Sequence, residues 1–160
     1  MVGLFDLGLN LAYHFHERVA PGDPGAYADA YEILSKLEAL ASDLAVRTSV
    51  RVNLVEACLT SGQYAKAIGL GRELLARPRL DQEWQLNTRF FVYASLVLSQ
   101  RTSDAVQAGK ELDDYYARLP AGFTNDWGYG GTRAYLQRAS IPAASKEALL
   151  QTLANIQRPK

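Results

Sequence analysis

The stretch Gly62-Gln63-Tyr64-Ala65-Lys66-Ala67 has a counterpart in Gly25-Ala26-Tyr27-Ala28-Asp29-Ala30. Both fit Gly-x-Tyr-Ala-x-Ala, and they stand 37 residues apart, Gly25 to Gly62. Ala67, Gly71 and Leu74 have a second set of counterparts in Ala105, Gly109 and Leu112, which lie 38 residues further on. Two separate comparisons that return nearly one period argue for units of that length, each too small to bury its apolar face alone. A unit of this size holds a helix pair, with small residues where two helices cross and an aromatic or leucine filling the gap beyond.

Working outward, proline fixes its own backbone and removes a donor, so Pro21, Pro24, Pro78, Pro120, Pro142 and Pro159 mark gaps between helices. Between them run stripes at helical spacing: Tyr27, Ala30, Leu34, Leu37, Ala41 and Leu44, then Tyr64, Ala67, Gly71, Leu74 and Leu75, then Ala105, Val106, Gly109, Leu112, Tyr116 and Leu119. Asp81, Ser103 and Ser145 are expected to start helices, because their short side chains accept bonds from free first-turn amides. Val46, Thr48, Val50, Val52 and Leu54 alternate with the period of a half-buried strand. The helical reading is preferred there because Val50, Leu54, Cys58 and Leu59 continue a helical stripe.

The run Asn53-Leu54-Val55-Glu56-Ala57-Cys58-Leu59-Thr60-Ser61-Gly62-Gln63-Tyr64-Ala65-Lys66-Ala67-Ile68, continuing to Leu74 and Pro78, resembles a tetratricopeptide repeat. Leu54, Gly62, Tyr64, Ala67 and Pro78 stand at matching positions, while Val55 replaces the usual small residue and the proline comes one place early. Leu7-Gly8 with Leu11 is similar to the family's first helix, with about ten additional Gly- and Pro-rich residues before Tyr27. In the third unit Gln100-Arg101-Thr102 replaces the Gly-x-Tyr turn. The resemblance implies an all-α fold: antiparallel helix hairpins at about 2–44, 45–78 and 81–119, stacked as a short right-handed solenoid. Residues 121–160 are expected to add an irregular aromatic and glycine turn plus terminal helices over Asn125–Arg138 and Ser145–Gln157. The last of these presents Leu149, Leu150, Leu153 and Ile156 on one side and suits a capping helix.

The chain has 160 residues, with 17 Lys plus Arg against 17 Asp plus Glu, so its formal charge is zero. Phosphate-backbone and polybasic membrane binding both draw on excess Lys and Arg, so no nucleic-acid and no membrane partner is expected. Arg47, Arg51, Arg72, Arg77, Arg79 and Arg89 cluster in the middle third, but acids elsewhere cancel them. A single cysteine, Cys58, forbids an internal disulfide and four-cysteine zinc sites. Asp6 interrupts the first apolar stretch and no basic region precedes it, which disfavours a secretory signal and makes a cytoplasmic home the expectation.

Chemistry-bearing residues are sparse. His14 and His16 are two apart and point to different helix faces, so they do not form a metal-binding pair. Cys58 reads as core, and Asp113-Asp114 as a solvated edge. Gly128-Tyr129-Gly130-Gly131-Thr132-Arg133 reads as an ordered aromatic turn, in which the glycines let the chain bend while Trp127, Tyr129 and Tyr135 pack over the last repeat. The alternative is a small-ligand site in which glycine amides and Arg133 hold an anion. No catalytic residue, metal or cofactor is assigned.

What remains is recognition. The resemblance implies that first helices line a concave groove, with Val52, Asn53, Glu56, Leu59 and Thr60, then Asn87, Phe90, Phe91, Ala94 and Val97, facing inward, and with Phe5, Asp6, Leu9 and Tyr13 contributing from the first unit. The expected partner-binding set is Asn53, Glu56, Thr60, Asn87, Phe90 and Phe91. Core packing is the competing reading for Phe90 and Phe91. The expected function is a non-catalytic protein- or peptide-binding scaffold; the alternative is a helical small-ligand sensor or enzyme accessory domain with a site near Trp127–Arg133. Three units are near the minimum for a stable stack, which leaves homodimerisation through a solenoid end open.

Overall fold

The computed structural model describes residues 2–19 and 23–160, so the gap expected at Pro21 lies outside the described residues. Among the described residues every regular element is helical and no strand occurs. The helices are α1 (Val2–His14), α2 (Pro24–Leu40), α3 (Leu44–Thr60), α4 (Tyr64–Leu75), α5 (Gln82–Leu98), α6 (Thr102–Arg118), α7 (Gly130–Arg138) and α8 (Ala143–Ile156), with a π-helical turn, Phe15–Val19, after α1. No described helix is long and apolar enough to cross a membrane.

Residues 46–54 lie in α3, which settles the strand alternative. Their alternation does not select a strand because α3 is buried nearly all round: Val50, Val52, Leu54, Val55 and Leu59 are all buried. When a helix has neighbours on every side, its apolar residues need not follow one stripe.

Consecutive helices from α1 to α6 pack on each other, as do α7 and α8, and α3 also packs on α5. The second and third pairs are built alike. α3 and α5 each have 17 residues and start 38 apart, as do α4 and α6 at their first residues. Asp43 caps α3 by accepting from the amides of Ala45 and Val46, and Asp81 caps α5 by accepting from Glu83 and Trp84. At the far ends Ser61 Oγ donates to the Ala57 carbonyl over 2.6 Å, and Ser99 Oγ to the Ser95 carbonyl over 2.7 Å.

Both turns are the same Schellman arrangement. Gln63 N donates to Cys58 O and Gly62 N to Leu59 O, while Arg101 N donates to Leu96 O and Gln100 N to Val97 O. The motif needs a left-handed residue, and it has Gly62 at φ 75° and Gln100 at φ 59°. Gln100 therefore occupies the glycine position and carries its strain.

Two expected helix starts move. α6 begins at Thr102 with Ser103 already inside it, and α8 begins at Ala143, ahead of Ser145. Residues 121–129, where a helix was expected from Asn125, contain no helix. In the terminal part α7 lies against α3 and the π-helical turn, and α8 against α5 and α7. Leu136, Leu149, Leu153 and Ile156 thereby join the main core.

Candidate functional site

The segment from Phe123 to Thr132 crosses the faces of α3 and α5 on which the groove residues lie. Trp127 and Tyr129 pack on Phe91 in tilted contacts, with ring centroids 6.0 and 6.1 Å away, and Tyr129 also meets Phe90 edge-on at 6.0 Å. Aromatic pairs at these separations add to simple area burial. Asn87 Oδ1 accepts from Asn125 Nδ2 at 3.0 Å and from the Tyr129 hydroxyl, and Glu83 accepts from the Asp126 amide at 2.7 Å. Asn125 Nδ2 also donates to the Ile156 carbonyl at 3.2 Å, tying the segment to the end of α8.

Glu56 anchors the other end. It sits among the apolar residues of α3 and is buried, a costly place for a carboxylate without partners. Its oxygens accept from Trp127 Nε1 at 2.9 Å and Thr132 Oγ1 at 2.5 Å. His16, from the π-helical turn, bridges Thr60 Oγ1 at 3.0 Å through Nε2 and Glu17 Oε1 at 2.7 Å through Nδ1. Glycine makes this approach feasible. A Cβ on Gly131 would run into the His16 backbone carbonyl, and one on Gly130 would lie 2.6 Å from Glu17 Oε2.

The electrostatics follow from burial. Desolvation pushes the Glu56 carboxyl up to about 7, although the nearby His16 charge favours ionisation. For His16, burial disfavours the charged form, but Glu56 and Glu17 more than offset this and raise its value above the ordinary one. Burial likewise pushes the Cys58 thiol up to about 11 and leaves no reactive thiolate at neutral pH.

His16, Glu17 and Glu56 place one ligand atom each within 4.8 Å of the others, close enough for a small shift to let them share a cation. Such an ion would have to displace bonds these groups already make to Thr60, Trp127, Thr132 and each other. The void beside them, lined by Tyr13, His16, Asn53 and Glu56, is about 20 Å³, the size of one water. No organic substrate fits there. The Glu56 carboxylate holds the crossing segment through Trp127 and Thr132, while the imidazole ties the π-helical turn to Thr60 of α3.

This arrangement corrects the expected open groove. Glu56, Thr60, Asn87, Phe90 and Phe91 are buried, and half-buried Asn53 spends its amide on the Ser49 carbonyl of its own helix. The chain's own Trp127 and Tyr129 cover the aromatics that a partner was expected to meet. The expected ligand turn is likewise occupied: Trp127 is bonded to Glu56, Tyr129 to Asn87, and Arg133 to Gln157.

The inward role of His16 is not legible in the sequence, because the π-helical turn that carries it leaves no periodic trace. Tyr135, expected as part of the aromatic turn, lies in α7. The repeated tyrosines converge on it, Tyr27 at 5.7 Å between ring centroids and Tyr64 at 2.6 Å between hydroxyls.

No known protein family, curated protein or solved structure matches the chain. Its chemistry must be read from its own surfaces. The clustered arginines are largely spent on internal bonds: Arg51 between Glu38 and Glu73, Arg47 on the Ala41 carbonyl, Arg77 on Thr48 and Arg89 over the Tyr115 ring. An open groove of about 700 Å³ lies between α5, α6 and the start of α8, with Tyr93, Val97, Ala105 and Ile141 among its apolar lining and Lys110 and Asp113 among its charged residues.

Proposed function

We propose that the protein is a non-catalytic protein-binding module of tetratricopeptide-like helix pairs, stacked as a short solenoid, which meets its partner through the groove between α5 and α6. The observation that carries this reading is the contrast between the two sides of α5. One side is filled by residues 123–132, while the other borders an open apolar groove with a charged rim. Exposed apolar surface rimmed by polar groups is characteristic of interaction sites. The common 38-residue spacing of caps, turns and helix starts supports the stacked arrangement.

Affinity capture from the native source tests the reading, with wild-type protein and Val106→Glu and Lys110→Glu variants as baits. The expected result is a protein retained by the wild type and lost from the variants. Identical proteins on all three baits would overturn it.

A second reading, a small-ligand sensor, draws on a cavity of about 390 Å³ lined by Tyr27, Tyr64, Tyr135 and Arg138. Ligand-induced thermal shifts across a metabolite library, reduced by Tyr135→Phe, would favour it over protein binding.

A further inference from the structure

The joint between the second and third helix pairs is a template for the far side of the third. α5 lies on α4. It covers Ile68, which is 4% exposed and clusters with Val92, Leu96 and Ala105. Gly71 is the notch in that joint. A Cβ there would collide with Val92 Cγ2 and lie 3.5 Å from Thr88 Cγ2, both from α5, and 3.7 Å from Val55 Cγ1 of its own pair.

The same surface recurs 38 residues later with its cover missing. Val106, the counterpart of Ile68, is 70% exposed. At Gly109, the counterpart of Gly71, the three atoms nearest to an added Cβ all belong to Tyr93, the counterpart of Val55. Nothing equivalent to Val92 enters that notch among those nearest neighbours. The 700 Å³ groove lies there.

We infer that this groove docks an amphipathic helix of a partner protein, which lies on α6 as α5 lies on α4 and sets a β-branched side chain into the Gly109 notch. The inference rests on the protein-binding reading above and names the partner's chemistry. The template helix gives the stripe: Thr88, Val92 and Leu96, spaced four apart, face α4 and its neighbours, so the partner helix carries small or branched apolar residues at that spacing. Lys110 and Asp113 stand nearly one turn apart on the lining, so the partner carries an acid opposite the first and a base opposite the second. The chain's own residues 123–132 are engaged on the other side of α5 and leave the groove unfilled.

The probe is a fluorescently labelled, helix-stapled peptide with the sequence of residues 82–98, titrated into the full chain and read by anisotropy. Saturable binding is expected, weakened at least tenfold by Val106→Glu in the protein or by a Val92→Glu change in the peptide. Leu44→Glu, at a residue 68% exposed and outside the groove, should leave it unchanged. Circular dichroism of each variant verifies folding. Absent binding, or binding indifferent to Val106→Glu, overturns the inference. If capture still yields a Val106-dependent partner, the protein-binding reading survives that failure; if capture also yields none, both fall. A wild-type chain that dimerises and becomes monomeric with Val106→Glu assigns the groove to a second copy and also overturns the inference.

Discussion

The helix pairs α3–α4 and α5–α6 share a 17-residue first helix, an aspartate cap and turn geometry at an offset of 38 residues, yet their surroundings differ at several matched positions. Ile68 is covered and Val106 exposed; Asn53 is half-buried and Phe91 fully buried; Glu56 is ionisable in a place where α5 has Ala94. Local signals, an aspartate cap and a left-handed turn, suffice to build the hairpin. What each hairpin buries depends on which element arrives next. For the second pair this is α5 on one side and the Trp127–Thr132 segment on the other. The third pair receives Trp127, Tyr129 and α8 on one side and an open groove on the other.

The matched positions offer direct ways to break this comparison. The largest expected effect is at Phe91 against Asn53: Phe91→Ala should cost about 3–5 kcal/mol in urea denaturation, as a large buried ring lost from a packed core. Asn53→Ala should cost under about 1 kcal/mol, because only a bond within its own helix is lost. Equal costs would mean that the segment over Phe91 does not pack as described.

Glu56 comes next. Glu56→Ala should cost about 2–3 kcal/mol, because it leaves the Trp127 and Thr132 donors without their acceptor. Its titration gives a second readout. The folded carboxyl titrates near 7, above its ordinary 4.5, so between those values the folded state holds a proton that the unfolded state has released. Stability therefore falls as pH rises through this window. The raised value of His16 acts in the same direction, with its contribution lost as pH rises above 6.5. Denaturation at pH 5, 6, 7 and 8 should show this decline for the wild type and a flatter profile for Glu56→Gln. Parallel profiles would contradict the burial of this carboxylate.

The turns sharpen the comparison at smaller scale. Gly62→Ala should destabilise by about 1 kcal/mol, because φ 75° disfavours a Cβ, and Gln100→Gly should stabilise by about 0.5–1 kcal/mol by relieving the same strain at φ 59°. Thermal melting checks both signs. The smallest effect is expected at Val106, where replacement by glutamate should change stability by less than about 0.5 kcal/mol in line with its exposure. A large loss there would mean that the groove is closed in solution.

Much of the fold was legible because its signals are local. The 38-residue offset of α3–α4 and α5–α6, the Asp81 cap and the buried small residues Ala67 and Ala105 follow from backbone sterics, capping and the need to bring helix axes close, whereas Gly25, 37 residues before the turn at Gly62, lies inside α2. The candidate site was not legible in the same way. Glu56 and Asn87 were found as polar residues in first helices, but sequence spacing cannot say which face a later segment will cover. Trp127 and Glu56 are 71 residues apart, and Thr132 and Glu56 are 76 apart.

The sequence by itself determined the helices, the Asp81 cap and the turn at Gly62, since these depend on interactions within a few residues. Only the tertiary structure decided that the aromatic segment lies across α3 and α5, that His16 turns inward, and that the open surface is on the other side of α5. Those outcomes depend on competition among distant apolar and polar groups for one shared interior. Burying Phe91, Trp127 and Tyr129 together removes more apolar surface from water than leaving Phe91 open to a partner, and Glu56 and Asn87 supply the bonds that make that burial specific.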